Sequence, residues 1–183
     1  MTIVLYLIGI LLELGVLVFF CIYCISLIYS QLRGSFYVAT RQKEIDLFLK
    51  EADLKKGEYL LELGSGDGRV LRTAAQKYGV IGKGIDINPT LNWVANWLAR
   101  RKHLKNVTFT TENVFTTDLS KADVIYIFLM PKLIDKIEKR VFKESKKNAV
   151  IISHGFKVDI LEKYLVKKLK RKPFPTYFYK KHI

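Results

Sequence analysis

The sequence predicts an α/β domain, a parallel sheet with helices on both faces, carried behind one transmembrane helix. Three observations lead there: an apolar N-terminal run, strand and helix signals that alternate five times, and a glycine-rich loop directly after the first strand. Of 183 residues, those beyond the apolar run suffice for one compact domain and are too few for two. The expected division is an anchor at 1–30, a juxtamembrane connector at 31–41 and a single folded domain at 42–183.

From Ile3 to Tyr29 only Glu13 carries a charge. As a helix this run is roughly 40 Å long, more than the hydrocarbon core of about 30 Å, so it can span with tilt or overhang. A cleaved signal sequence would want a basic start, an apolar core of about 7–15 residues and small residues at a cleavage site. Nothing basic precedes this run and it is too long, which favours a retained anchor. Arg33, Arg41 and Lys43 follow it, so the positive-inside rule sets the remainder on the cytoplasmic side, or the matrix side of an organelle. Glu13 is costly in hydrocarbon unless it sits shallow or meets another helix. Cys21 and Cys24 form a C-x-x-C inside the span, with no second ligand pair or histidine nearby. They read as two apolar thiols, with no metal expected, and no cysteine remains elsewhere for a disulfide.

Gln31 to Thr40 reads as the connector, with Gly34 a hinge candidate. Gln42–Glu51 places Ile45, Phe48 and Leu49 at helical spacing. Glu58–Leu63 is a short apolar strand, Val70–Tyr78 a helix closed by Gly79, and Val80–Ile87 a second strand. Pro89 suits the first turn of a helix running through Leu91–Leu104. Val107–Thr111 is a β-branched third strand, and Asp123–Met130 a fourth, apolar enough to be buried on both faces. Pro131 opens a helix to about Glu144, and Ala149–Ser153 is a fifth strand. A short helix near Asp159–Tyr164 and strands near Val166–Leu169 and Thr176–Lys180 complete the chain.

Net charge is +14, and the first thirty residues contribute only Glu13, so the excess belongs to the folded domain. It suits a polyanion, either nucleic acid or an anionic lipid surface, or simply a solvated exterior. An anchored domain faces headgroups continuously, which favours lipid and disfavours nucleic acid. The cluster Lys167, Lys168, Lys170, Arg171 and Lys172 in the C-terminal tail is the expected lipid contact; the alternative is a charged edge strand protected from aggregation.

The chemistry centres on Leu60-Leu61-Glu62-Leu63-Gly64-Ser65-Gly66-Asp67-Gly68-Arg69, between a predicted strand and helix, where an open α/β sheet places its ligand. Glycines at 64, 66 and 68 let the backbone turn sharply and approach a ligand. Asp86, ending the second strand, can accept hydrogen bonds from both hydroxyls of a ribose. The dinucleotide fingerprint G-x-G-x-x-G fails here, because its third glycine is Arg69. Glu62 would also sit badly beside a pyrophosphate; it suits a sulfonium-bearing ligand without phosphate.

The run E-L-G-S-G-D-G-R followed by G-I-D-I-N-P resembles motifs I and II of class I S-adenosylmethionine-dependent methyltransferases. More narrowly, the chain resembles the membrane-anchored lysine methyltransferases that act on the c-ring protein of ATP synthase and on the adenine nucleotide translocase. That resemblance implies a Rossmann-like seven-stranded sheet over residues 42–183, S-adenosyl-L-methionine as cofactor, and a lysine-bearing protein substrate at or in the membrane. Carried over by position, Gly64, Ser65, Gly66 and Gly68 would line the methionine and ribose portion with Glu62 supporting the loop. Asp86 would hold the ribose, Ile87 and Asn88 would flank the adenine, and Asn113 and Val114 would meet its edge. The family usually has an acid where Asn113 stands.

Phe36-Tyr37-Val38-Ala39-Thr40 matches the family's segment ahead of motif I, with Ala39 replacing a proline, and puts Tyr37 and Thr40 at the substrate pocket. Phe128, Leu129, Met130 and Pro131 occupy the fourth-strand exit, where related enzymes select their nucleophile. Amide and adenine methyltransferases keep polar atoms there; an apolar, aromatic exit suits an alkyl amine stripped of water. The alternative is that Phe128 to Met130 merely finish a hydrophobic strand. His103 and His154 are candidate bases by residue type alone. Methylation of a small molecule, lipid or RNA, and a non-catalytic cofactor-binding module, are the competing readings.

Overall fold

The computed structural model describes residues 2–32 and 38–180. Arg33, Gly34, Phe36 and Tyr37 lie outside them. The elements follow in the order α1 (Thr2–Leu32), α2 (Gln42–Glu51), β1 (Tyr59–Leu63), α3 (Arg69–Tyr78), β2 (Ile81–Asp86), α4 (Pro89–Arg101) and β3 (Val107–Thr111). After these come β4 (Val124–Ile127), α5 (Pro131–Glu144), β5 (Val150–His154), a 3₁₀ turn at Asp159–Tyr164, β6 (Leu165–Leu169) and β7 (Thr176–Lys180).

The seven strands form one sheet in the order β3-β2-β1-β4-β5-β7-β6. The first five are parallel, with Leu61 opposite both Lys83 and Ile125, and Ile125 opposite Ile151. β7 closes antiparallel between β5 and β6, pairing Ile152 with Phe178. Alternation along the strands divides the core between the two faces. Leu60, Val124, Tyr126, Ile152 and Phe178 pack under α2, α3 and α4. Leu61, Leu63, Ile125, Ile127, Ile151 and Tyr179 pack under α5 and the 3₁₀ turn. β4 is buried throughout, in keeping with its central place.

The sheet reverses direction of growth between β1 and β4, so a crevice opens at the carboxyl ends of those two strands. β4 is shorter than Asp123–Met130: it stops at Ile127, and Phe128–Met130 leave the ladder to reach Pro131 at the first position of α5. This release turns the three side chains toward the crevice. α4 begins at Pro89 and ends at Arg101, short of Leu104, because His103 takes a positive φ of 54°. Among the described residues, Thr2–Tyr29 is the one stretch long and apolar enough to cross a membrane, and most of its side chains are exposed.

Candidate active site

Beyond Leu63 the chain turns through Gly64, Gly66 and Gly68, at φ of +75°, +53° and +73°. The amides of Gly64 and Ser65 both donate to the Ile85 carbonyl at 2.9 Å, folding the loop over the end of β2. At Gly68 a Cβ would lie 2.3 Å from the Phe109 ring, so only glycine fits there. Glu62, almost fully buried, accepts from the Leu71 amide at 3.1 Å and so caps the first turn of α3. Burial raises its carboxyl to about 8, with neighbouring Asp67 and Asp86 adding to the shift, so the side chain is neutral at pH 7.

Asp86 is held by two backbone donors, Gly66 N–H to Oδ2 and Asn88 N–H to Oδ1, both at 2.9 Å. Each oxygen keeps a further lone pair for a ligand hydroxyl. Burial pushes this carboxyl upward too, against the pull of those amides. Beside it, Asp67 pairs with Arg69 at 2.8 Å, and the same guanidinium donates to the Thr40 carbonyl at 3.1 Å. That bond ties the segment ahead of motif I to the glycine loop.

These groups line an open cleft at the carboxyl ends of β1 and β4. Glu62, Gly64, Ser65, Gly66 and Asp86 form its floor, and Thr40, Phe128, Leu129 and Met130 its other side. An adjoining cavity shares Gly64, Asp86 and Leu129 and adds Ile87, Asn113 and Val114, where an adenine edge was expected. The Ser65 hydroxyl is buried at the cleft without a hydrogen-bond partner among the described residues, and the Tyr126 hydroxyl is buried there against Thr40. Buried polar atoms are normally paired, so the Ser65 hydroxyl is fitted to meet a bound molecule. Burial drives the Tyr126 hydroxyl well above its ordinary ionisation range, and Glu62, ionised at such high pH, adds to the shift.

Three expected residues line neither the cleft nor the adjoining cavity. Gly68 lies behind the loop against Phe109, where it serves the turn. Asn88 is fully buried and its side chain is already engaged: Oδ1 accepts from the Thr90 and Leu91 amides as the cap of α4, while Nδ2 donates to the Ser26 carbonyl of α1. It therefore presents no free amide to an adenine. Pro131 opens α5 and is not among the lining residues. Asn113 is exposed and accepts from the Phe115 amide at 3.0 Å, while the neighbouring acid Glu112 pairs with Lys83.

Tyr126, Phe156, Phe174, Asp67 and Arg69 also line the cleft, and local pattern did not point to them. Tyr126 was findable as the polar member of an otherwise aliphatic strand. Phe174 had no local signal; only the return of β7 beside β5 brings its ring 5.4 Å from Phe128. His154 lies outside the cleft lining, behind Phe128 (rings 4.8 Å apart). Its Nδ1 contacts Thr176 Oγ1 at 2.8 Å, and burial lowers it to about 4, so it stands neutral in the core. His103 is exposed at the end of α4.

Residues 62–164, more than half of the chain, match the ANTKMT methyltransferase domain. The chain belongs to that family. A protein-lysine N-methyltransferase of Saccharolobus islandicus is 27% identical over 125 residues, covering 67% of this chain and 77% of the relative. A human lysine N-methyltransferase named for the ATP synthase c-ring protein is 28% identical over 121 residues, covering 66% of this chain and 51% of the relative. The chain thus spans about half the length of that human relative. Among solved structures, an RNA methyltransferase of Salinibacter ruber with bound S-adenosyl-L-homocysteine aligns at a TM-score of 0.74 and 27% identity, over 79% of this chain and 94% of that one. A methyltransferase of Geobacter sulfurreducens, also with S-adenosyl-L-homocysteine, aligns at 0.56 and 22% identity, over 62% of this chain and 48% of that one, a likeness of fold.

This methyltransferase uses S-adenosylmethionine, and the cleft fits it. Asp86 would take the ribose hydroxyls, and the glycine loop would pass the methionine portion without Cβ obstruction. Ile87, Asn113 and Val114, which line the adjoining cavity, would take the base. When bound, the cofactor supplies an electrophilic methyl on a sulfonium. Glu62, Gly64 and Ser65 on one side and Thr40, Phe128 and Leu129 on the other would hold it, and the aromatic side would keep water away.

Proposed function

We propose that the enzyme methylates lysine side chains of a protein at or in the membrane. The observation that carries this is the wall opposite the glycine loop: Tyr126, Phe128, Phe156 and Phe174 surround the place where a nucleophile would enter. No acid or amide stands at the β4 exit to orient a planar amino group, as amide or base methylation would want. A lysine amine reacts only when uncharged, and desolvation among aromatic rings favours its neutral form. The two relatives named for lysine methylation support the same reading.

α1 would hold this pocket at a bilayer, with the folded domain on the cytoplasmic or matrix side according to the basic residues that follow the span. The test is label transfer: membranes from cells making the protein receive S-adenosylmethionine labelled in its methyl group, followed by hydrolysis and amino-acid analysis. Label in methyl-lysine supports the proposal. Label in RNA would favour the activity named for the Salinibacter neighbour, and label in lipid or in no macromolecule would equally overturn it.

A further inference from the structure

Both tryptophans of the chain, Trp93 and Trp97, stand one turn apart on the outer face of α4, 59% and 45% exposed. Two such rings facing water in a monomer are unusual, since tryptophan is on average highly buried. The Arg101 guanidinium lies 4.9 Å over the Trp97 ring. Between Ile87 and Thr111 the sequence has Arg100, Arg101, Lys102 and Lys105 and not one acid, so α4 and the turn after it carry only cations.

The same face meets the anchor. The Phe19 ring is 6.2 Å from Trp93, and the Ser26 carbonyl accepts from Asn88 Nδ2 at 3.0 Å. The apolar stretch has 28 residues, Thr2 to Tyr29, which is roughly 42 Å of helix against a hydrocarbon core of about 30 Å. About 20 residues cross, and the surplus is about two turns. If crossing takes up Thr2 to Cys21, the surplus contains Ser26, and Phe19 and Trp93 arrive together at the boundary between hydrocarbon and headgroups. Tryptophan favours that depth, and arginine reaches from it to the phosphates.

We propose that α4 docks on the bilayer that α1 crosses, with Trp93 and Trp97 in the interfacial layer and Arg100 and Arg101 on anionic headgroups. The inference rests on α1 being a membrane span. The domain is then seated at a fixed height and does not swing on a tether. The seat is joined to the cofactor site, because Asn88 bonds α1 through its side chain and Asp86 through its amide. The basic tail read from the sequence sits at the opposite edge of the sheet, on and after β6, where Lys167 pairs with Glu51 and Lys168 lies over the Tyr177 ring. The proposed seat on α4 is thus at the edge of the sheet opposite that tail.

Since the chain has no other tryptophan, its intrinsic fluorescence reads this face alone. The full-length protein is reconstituted into phosphatidylcholine vesicles containing phosphatidylglycerol, with bromine on the acyl chains near the headgroup. Alkaline extraction separately reports whether α1 is inserted. Retention with blue-shifted emission that brominated lipid largely quenches supports docking, and Trp93→Phe and Trp97→Phe, each leaving one ring, assign it to both positions. Retention with unquenched emission that aqueous iodide quenches overturns docking while leaving the span intact. Release of the protein by alkali overturns the span and docking with it. Replacing Arg100 and Arg101 by Gln should reduce quenching in vesicles with phosphatidylglycerol and leave it unchanged in pure phosphatidylcholine; equal quenching of both forms overturns the headgroup contact.

Discussion

Asp86 has one backbone donor on each carboxylate oxygen, so its orientation is set before a ligand arrives. Asp86→Ala removes the acceptor for the ribose hydroxyls and lets the Gly66 amide drift. Cofactor affinity should fall at least about tenfold, the equivalent of one charged hydrogen bond, and isothermal titration calorimetry reads it directly. Glu62 gives a prediction in pH. Its folded value of about 8 exceeds its ordinary 4.5 because burial penalises the charge, so the folded state binds the extra proton. That contribution to stability is complete below 4.5 and is lost as pH rises through 8. His154, lowered to about 4 from 6.5 by burial, acts in the opposite sense, stabilising above 6.5 and losing that contribution as pH falls toward 4. The window from 6.5 to 8 therefore isolates the acid. There, urea midpoints of the cofactor-free protein should fall with rising pH, and Glu62→Gln, which can still accept from Leu71, should flatten the slope. An unchanged slope would mean that Glu62 is already ionised at neutral pH.

At the scale of elements, the turn from β1 into α3 is the least tolerant piece. Gly68 combines a φ of +73° with a Cβ position that overlaps Phe109. Gly68→Ala should destabilise the protein by more than the 1–2 kcal/mol, roughly, of a left-handed alanine, measured by denaturant unfolding. The β4–α5 junction is different in kind, because its residues face the cleft while α5 is anchored by Ile134, Ile137 and Val141. Phe174→Ala, across from Phe128, removes one aromatic wall and touches none of the groups assigned to the cofactor. It should leave cofactor affinity within about twofold and lower kcat/KM for the protein substrate by about tenfold or more, the cost of a desolvated contact made in the transition state. Equal losses in both would place Phe174 with the cofactor and remove the assigned wall.

At the scale of the whole molecule, one rigid sheet carries a cofactor site at its carboxyl edge and an apolar helix beside its β2–β3 side. Saturating cofactor should stabilise the whole domain: at a hundredfold excess over Kd the gain is about 2.7 kcal/mol, seen as a rise in Tm. NADH should give no rise, since the loop has Arg69 where a dinucleotide fold needs its third glycine. In sealed vesicles of cytoplasmic orientation, or in intact mitoplasts, the proposed topology makes added protease reach the folded domain only from the side where the positive-inside rule sets it.

Periodicity and the E-L-G-S-G-D-G-R run determined the apolar N-terminal helix, the succession of elements and the cofactor class, because each depends on residues near one another in the chain. Glycine spacing dictates a backbone turn, and an apolar run dictates burial or lipid, whatever surrounds them. Tertiary structure alone decided the rest. Asn88, adjacent to the ribose acid in sequence, is taken up by the cap of α4 and by Ser26, a partner 62 residues earlier. Phe174 meets Phe128 only because β7 returns antiparallel to β5, and His154 is silenced by the aromatic residues that fold over it. Which residues converge on a pocket is a property of long-range packing, and local pattern carries no record of it.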